Sequence, residues 1–309
     1  MQIPVTTSGR THPFHPNVRP RLSVPIVLIL AAFQASAQDA AVPGVLNNAA
    51  GQPMRVGYAC AEEDLQWAGM SCSDGEPCAI YLELNAVVSN GRKILAAGNL
   101  HSTSATLSSV LLQSDDSGAT WKEPVTRLRG SVIEQLQFYD PMHAWAAGET
   151  QYPLPRDPFV LLTTDGGGLW RERAVGEEGN AGSVQRFWFD TVEHGELIVD
   201  AGKASSSGRY LSYESETSGE SWLLRGSDDR LPVLRRAPAA ADDPDWRIRT
   251  GTDGKAWQIE KHAGNAWEAM ASFLIEVASC KGDPGPPGEL PSGLPSERPS
   301  GQTAAAPKP

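Results

Sequence analysis

Short apolar runs alternate with polar turns along most of the chain. The stretch from residue 131 to 175 is representative, with the runs "SVIEQLQFYD", "HAWAAGET", "FVLLTTD" and "LWRERAV" separated by Pro, Gly and Asp. These runs are rich in β-branched and aromatic residues, which is typical of strands, and nothing of comparable length has helical periodicity. The pattern predicts four short β-strands in about fifty residues.

One motif recurs at the end of such a stretch, with the form hydroxyl, x, Asp, x, Gly, x, x, Trp. It is complete in "SDDSGATW" and "TTDGGGLW", whereas "SETSGESW" has Thr217 in place of Asp, and "EKHAGNAW" keeps only the Gly and the Trp. An upstream glycine precedes each motif, at Gly98, Gly148, Gly202 and Gly251. The motif positions are Ser114, Asp116, Gly118, Trp121, Thr163, Asp165, Gly167, Trp170, Ser215, Gly219, Trp222, Gly264 and Trp267.

The motif tryptophans are 49, 52 and 45 residues apart, a period typical of propellers and other repeat arrays. Four strands in each period correspond to one antiparallel propeller blade. We therefore predict an all-β propeller of four or five four-stranded antiparallel blades over residues 79–280.

The motif itself is expected to be structural. A short acid can accept backbone N–H bonds across a turn, glycine permits a positive φ, and the tryptophan can pack beneath the turn. The motif has no partner carboxylate, which argues against a catalytic role for its aspartate.

The complete motifs resemble the Asp-box, or BNR repeat, of sialidase-type propellers. Within that group, "FYDPMHAWAAGE" resembles the blades of photosystem II assembly and stability factors and their bacterial relatives. That resemblance implies a non-enzymatic protein with a binding or assembly role. The third and fourth motifs depart from it by lacking the aspartate.

Both ends of the chain differ from the repeats in composition. Arginines precede an apolar run at 24–33 and then Ala35-Ser36-Ala37, which predicts a signal peptide over residues 1–37 and an exported protein, periplasmic or extracellular. The run is about half of what a membrane anchor requires. Residues 38–78 are a candidate partial blade, with "MRVGYAC" and "DLQWAGM" as candidate strands. Residues 281–309 are rich in Pro, Gly and Ser, which predicts a disordered tail.

The four cysteines favour two disulfides in an oxidising compartment. Zinc is disfavoured because "CSDGEPC" separates its cysteines by five residues and has no nearby histidine. Four cysteines allow three pairings. A propeller must bring its two ends together, so we expect Cys60 to pair with Cys280, which leaves Cys72 to pair with Cys78.

Charge and motifs restrict the function. The net charge of −11 disfavours nucleic acid and anionic membranes as partners. The Arg-Ile-Pro motif of sialidases is missing, with "RLPV" at Arg230 the nearest phrase, and other catalytic signatures are absent. His143 and His194 occupy matching turns of two repeats. A recurring position of the repeat unit is therefore a simpler interpretation of these histidines than a role as metal ligands.

We therefore expect no catalytic residue, no metal and no cofactor. The main hypothesis is an exported, non-enzymatic propeller that binds a protein or peptide. The alternative is a glycan-binding propeller or a degenerate sialidase-like glycosidase, which exposed aromatic rings and paired carboxylates in the channel would favour.

Overall fold

The computed structural model describes residues 44–49, 51–151, 154–203, 205–206, 208–234 and 245–281. Within them it contains 17 β-strands and one helix, α1 (Glu62–Trp67). The predicted signal peptide lies outside the described residues, as does the predicted tail apart from Lys281. No helix in the described ranges combines the length and the apolar composition needed to cross a bilayer.

The helix α1 corrects the expectation that "DLQWAGM" is a strand. Glu62, Glu63 and Asp64 occupy its first turn, where acidic side chains interact favourably with the helix dipole. Leu65 is its buried residue and packs into the adjoining core. The other candidate strand, "MRVGYAC", contributes only a bridge at Met54.

Blade 1 is built from strands that come from both ends of the described chain. Its strands are β2 (Cys78–Asn90), β3 (Lys93–His101), β4 (Thr106–Ser114) and β17 (Glu276–Cys280). The sheet order is β17, β2, β3, β4, with every pair antiparallel. The short strand β5 (Thr120–Trp121) follows β4, and β1 (Leu46–Asn47) pairs with it.

Blades 2 and 3 are antiparallel meanders in which the sheet order follows the sequence. Blade 2 contains β6 (Ser131–Phe138), β7 (Ala144–Thr150), β8 (Arg156–Thr163) and β9 (Arg171–Ala174). Blade 3 contains β10 (Ser183–Phe189), β11 (Gly195–Asp200), β12 (Tyr210–Ser215) and β13 (Leu223–Asp228). Each blade therefore has the four strands that the sequence pattern predicts.

Blade 4 has three strands in the described part of the chain, β14 (Trp246–Thr250), β15 (Ala256–Ala263) and β16 (Ala266–Leu274). The N-terminal segment lies along the outer strand, where Met54 forms a parallel bridge with Phe273. The Met54 N–H donates to the Ser272 carbonyl at 2.8 Å, and the Leu274 N–H donates to the Met54 carbonyl at 2.8 Å. These four sheets confirm the predicted all-β propeller.

Three apolar cores lie between successive blades. Ile80 and Trp121 of blade 1 pack with Phe273 of blade 4, and Leu95 and Ile133 are members of the core between blades 1 and 2. The core between blades 2 and 3 includes the stacked rings of Trp145 and Phe189, with centroids 3.8 Å apart. Burial of these faces is the main force that holds the blades side by side.

Polar side chains also join blades 2 and 3 at their first strands. The side chain of Gln137 on β6 accepts from the Phe189 N–H and donates to the Phe189 carbonyl, both at 2.8 Å. The amide therefore satisfies a donor and an acceptor of β10, much as a neighbouring strand would.

The chain closes the propeller at blade 1 with a strand and a disulfide. Strand β17 pairs with β2, and Cys60 is bonded to Cys280 across a sequence separation of 220 residues. Cys72 is bonded to Cys78. Both bonds join the cysteines that the ring-closure argument favours.

Candidate functional site

The first strands of blades 1, 2 and 4 line a cavity of about 310 Å³, which we call the first-strand cavity. Asn85 of β2 and Glu134 of β6 line it at β-bulges, where the register of each strand shifts by one residue. A bulge turns one side chain away from the alternation of its strand. Trp246 and Trp257 of blade 4 line the same cavity.

The recurring upstream glycines make room for these bulges. A Cβ on Gly98 would lie 1.9 Å from the Glu83 carbonyl oxygen, and one on Gly148 would lie 2.0 Å from the Val132 carbonyl oxygen. The two glycines pair with Leu84 and Ile133, next to the bulges.

Gly202 does not belong to this series, which corrects its inclusion among the recurring upstream glycines. In blade 3 the equivalent position is Val199, which pairs with Val184 beside the bulge of β10. Gly202 lies after β11, with a φ of +82° and open space around its Cα. The sequence "IVDAGK" contains a glycine as the other repeats do, but Gly202 lies three residues after the structurally equivalent position, Val199.

Three interacting carboxyl groups surround the bulge of blade 2. Burial raises the pKa of Glu134, and the charge of Glu83 raises it further. Glu149 is only 2% exposed, and burial raises its pKa to about 7. Its carboxylate accepts from the Val184 N–H at 3.1 Å and from the Gln151 side chain at 2.9 Å, while the charge of Glu134 opposes ionisation. Perturbed carboxyl groups of this kind are characteristic of functional sites.

A tryptophan on the opposite side of the cavity is held in place. The Trp257 Nε1–H donates to the Leu82 carbonyl of blade 1 at 2.7 Å, and the ring is half-buried. Trp246 beside it is buried. The cavity thus combines a fixed aromatic ring with the carboxyl group of Glu134 and the amide of Asn85. The amide of Gln135 is instead bonded to β10, because it accepts from the Phe187 N–H and donates to the Val184 carbonyl.

The predicted turn motif has the expected geometry in blade 1. The Gly118 N–H donates to Ser114 Oγ at 2.8 Å, and the Thr120 N–H donates to Asp116 Oδ1 at 2.8 Å. Hydrogen bonds, chiefly from the Thr120 hydroxyl, lower the pKa of Asp116 to about 2. Gly118 has a φ of +90°, and Trp121 is buried beneath the turn.

The turn of blade 2 repeats this arrangement. The Gly167 N–H donates to Thr163 Oγ1 and the Leu169 N–H donates to Asp165 Oδ1, both at 2.9 Å. The pKa of Asp165 is lowered, first by the Leu169 N–H. Trp170 is buried.

The turn of blade 3 keeps the geometry without the aspartate. The Gly219 N–H donates to Ser215 Oγ at 2.9 Å, and the Ser221 N–H donates to Thr217 Oγ1 at 3.0 Å. A hydroxyl therefore replaces the carboxylate as the acceptor, and Trp222 is buried as in the other two turns.

The fourth motif does not form this turn, which corrects the prediction for Gly264 and Trp267. Strands β15 and β16 pair as far as Ala263 and Ala266, so Gly264 and Asn265 alone connect them. Trp267 is half-buried and pairs with His262. Glu260, at the hydroxyl position, is instead bonded to Arg247 and Arg249.

The two turn histidines differ in their surroundings. His143 and His194 each contact an aspartate of their own turn through Nδ1, Asp140 and Asp190 respectively. His194 alone also contacts a glutamate, with Nε2 3.0 Å from Glu214 Oε1.

The cavity residues Glu134 and Trp257 were missed in the sequence, as was the buried carboxyl group of Glu149, whose pKa the charge of Glu134 raises further. Two signals were available. Glu134 interrupts the apolar alternation of "SVIEQLQF", as a bulge residue does, and Glu149 directly follows the recurring Gly148. Trp257 carries no comparable signal, because its partner Leu82 is 175 residues away.

The chain is thus an all-β propeller with a polar, aromatic-lined cavity, and known proteins resemble it only weakly. No known family matches the sequence, and no curated protein does. A GH74 xyloglucanase from Xanthomonas campestris is 15% identical with a TM-score of 0.29, over 60% of this chain and 27% of that one. A GH43 β-1,3-galactosidase is 10% identical with a TM-score of 0.19, over 64% of this chain and 59% of that one. The matches span less than two thirds of either enzyme.

These neighbours require one correction. The sequence led to the expectation that the protein is not an enzyme, whereas both of these solved structures are glycoside hydrolases. That expectation is withdrawn.

Proposed function

We propose that the protein binds a carbohydrate in the first-strand cavity. The observation that carries this proposal is the presence of Trp257 and Glu134 on one cavity. A sugar presents C–H faces that pack on an aromatic ring and hydroxyl groups that bond to carboxyl and amide groups. Trp257 supplies the first kind of contact, and Glu134 and Asn85 supply the second.

Glu134 is also suited to one role in glycoside chemistry. Hydrolysis of a glycosidic bond uses one carboxyl group that holds a proton near neutral pH and a second that is ionised. The raised pKa of Glu134 fits the first of these roles. The alternative drawn from the sequence, a glycan-directed propeller, is the one that this cavity supports.

The test is a glycan panel measured against variants of the full chain. Glu134→Gln keeps the shape of the side chain and is expected to weaken binding of any glycan that the panel identifies by at least about tenfold. Trp257→Phe, which reduces the area of the aromatic ring, should also weaken binding of the glycan. Trp267→Phe is the matched control, because Trp267 does not line the cavity and an aromatic ring is kept beneath Arg247. Equal affinities for wild type and Glu134→Gln would contradict the proposal.

Hydrolysis is measured on the same proteins with a panel of aryl glycosides. Turnover by the wild type that is lost in Glu134→Gln would extend the proposal from binding to catalysis. Turnover that survives Glu134→Gln would assign the reaction to other residues.

The three turns support a narrower relationship. We propose that they are Asp-box repeats of the sialidase-type group, because their hydroxyl, acceptor and glycine positions make the same bonds in blades 1, 2 and 3. The closer likeness to photosystem II assembly and stability factors stays a prediction from the sequence.

We also propose that the protein works outside the cytoplasm. Its two disulfides support this, because such bonds persist in oxidising compartments. Cell fractionation with detection of the Cys60–Cys280 bond is the test, and recovery of the protein in a reduced cytosolic fraction would refute it.

A second candidate, binding of an extended peptide, rests on the outer strand of blade 3. Every residue of β13 is exposed, with Leu223 at 59% and Leu224 at 55%. The chain itself adds backbone to the outer edges of blades 1 and 4, through β1 and Met54. An extended peptide of another protein would extend blade 3 in the same manner. Leu224→Lys should abolish binding in a peptide panel, whereas Glu134→Gln should not affect it.

A further inference from the structure

One side-chain cluster in blade 3 has the composition of a metal site. His194 lies in the turn before β11, Glu214 lies on β12, and Glu216 follows β12 in the adjoining turn. One ligand atom from each of these residues lies within 4.8 Å of the other two. We propose that His194, Glu214 and Glu216 bind a divalent cation of the zinc class.

The histidine is oriented as a ligand. Its Nδ1 contacts the Asp190 carboxylate, so Nε2 faces Glu214. A carboxylate on the second ring nitrogen is the usual support of a metal-bound histidine, because it fixes the ring and its tautomer. Asp190 is therefore a positioning residue in this proposal.

The observed spacing is close to what zinc requires. Ligand atoms bound at about 2.0–2.2 Å in a tetrahedral site are roughly 3.3 Å apart. His194 Nε2 and Glu214 Oε1 are 3.0 Å apart, so they need to separate by only a few tenths of an ångström. Glu216 is exposed, and its side chain is free to rotate towards them.

The other blades show that this set is particular to blade 3. Three positions can be compared in three blades: the residue before the cross-strand partner of the motif hydroxyl, the residue before that hydroxyl and the residue after it. In order they are Lys93, Gln113 and Asp115 in blade 1, His143, Leu162 and Thr164 in blade 2, and His194, Glu214 and Glu216 in blade 3. His143 keeps its aspartate but has neither glutamate, which makes it the matched control.

Charged side chains surround the histidine. Asp190 contacts its Nδ1, and Glu214 faces its Nε2. Arg225 donates to Glu214 Oε2, which leaves Oε1 facing the histidine.

One of the three ligands lines a cavity. Glu214 does so together with Arg225 and Leu234, and the cavity has a volume of about 390 Å³. Three protein ligands leave a fourth tetrahedral position, which water or a small ligand can occupy.

The test is calorimetric titration of the tag-free full chain with zinc chloride at pH 7.5. Relative to the wild type, His194→Asn should lose one binding equivalent, and His143→Asn should lose none. Glu216→Gln should weaken that equivalent at least tenfold. Glu216→Gln keeps the test decisive if His194→Asn does not fold, because substitution of an exposed side chain is tolerated by the fold.

Two outcomes would overturn the proposal. One is unchanged zinc binding in Glu216→Gln and His194→Asn. The other is calcium binding to this cluster as tightly as zinc, because calcium prefers oxygen ligands and would not use the imidazole.

Discussion

Replacing Glu149 by glutamine is expected to change how the stability of the protein depends on pH. The carboxyl group is almost completely buried, and burial raises its pKa from 4.5 to about 7. Below pH 4.5 it is protonated in both the folded and the unfolded chain. As the pH rises towards 7, only the unfolded chain releases the proton, so the free energy of unfolding falls.

The size of the effect follows from the two pKa values. A pKa raised from 4.5 to about 7 corresponds to about 3 kcal/mol of stability, which is present below pH 4.5 and lost above pH 7. Glutamine has the same shape and no charge. Its carbonyl can accept from the Val184 N–H, and its amino group can donate to Gln151 once that amide is flipped.

The assay is equilibrium unfolding in urea, followed by tryptophan fluorescence, at pH 5 and at pH 8. Relative to the wild type, Glu149→Gln should gain about 2.5 kcal/mol between the two pH values, because pH 5 already lies above the pKa of the unfolded carboxyl group. Glu172→Gln, an exposed strand position in blade 2, is the matched control and should follow the wild type. Wild-type and Glu149→Gln stabilities that stay parallel from pH 5 to pH 8 would refute the reasoning.

Three further perturbations test the fold. Gly148→Ala should lower the free energy of unfolding in urea by more than about 3 kcal/mol, because its Cβ would lie 2.0 Å from a backbone oxygen. Gly226→Ala, which places its Cβ in open space, should be tolerated. Equal unfolding midpoints for the two variants would refute the bulge argument. Replacing Cys60 and Cys280 by serine should cost about 5 kcal/mol by loop entropy, and an unchanged unfolding midpoint would contradict the closure role. Asp116→Ala should lower the melting temperature by a margin that shrinks as the pH falls from about 4 to about 2, because the unfolded carboxyl group takes up its proton near pH 3.8 and the folded one only near pH 2. A margin already lost at pH 4 would count against the bonds described for that turn.

The fold was predictable where the role of a residue depends only on its neighbours in the sequence. The buried tryptophans of three motifs repeat at a nearly constant interval, and the interval alone indicates blades. The motif glycines have positive φ in all three turns, as the sequence predicts. Gly202 and Gly264 show the limit of this approach, because a residue type can recur at the expected spacing while the strand register around it differs.

The cavity and the buried carboxyl group of Glu149 were not predictable for a different reason. Glu134, Glu149 and Trp257 acquire their properties from residues far away in the sequence, such as Glu149 from Val184 and Trp257 from Leu82. Local patterns describe turns and strands, whereas burial and the coupling of charges depend on which blades become neighbours.

The pairing of β17 with β2 has a consequence for the order in which the protein is made. Strand β2 emerges from the ribosome long before its neighbour β17, so one edge of blade 1 stays unpaired until nearly all of the propeller has been synthesised. Exposed strand edges invite pairing with other chains. During the same interval Cys72 and Cys78 have been synthesised, whereas Cys280, the partner of Cys60, has not. A premature disulfide from Cys60 to Cys72 or Cys78 would leave the last strand without its covalent link to the N-terminal part of the chain. Correct maturation therefore depends on cysteine oxidation being delayed, or on a thiol exchange that corrects early bonds.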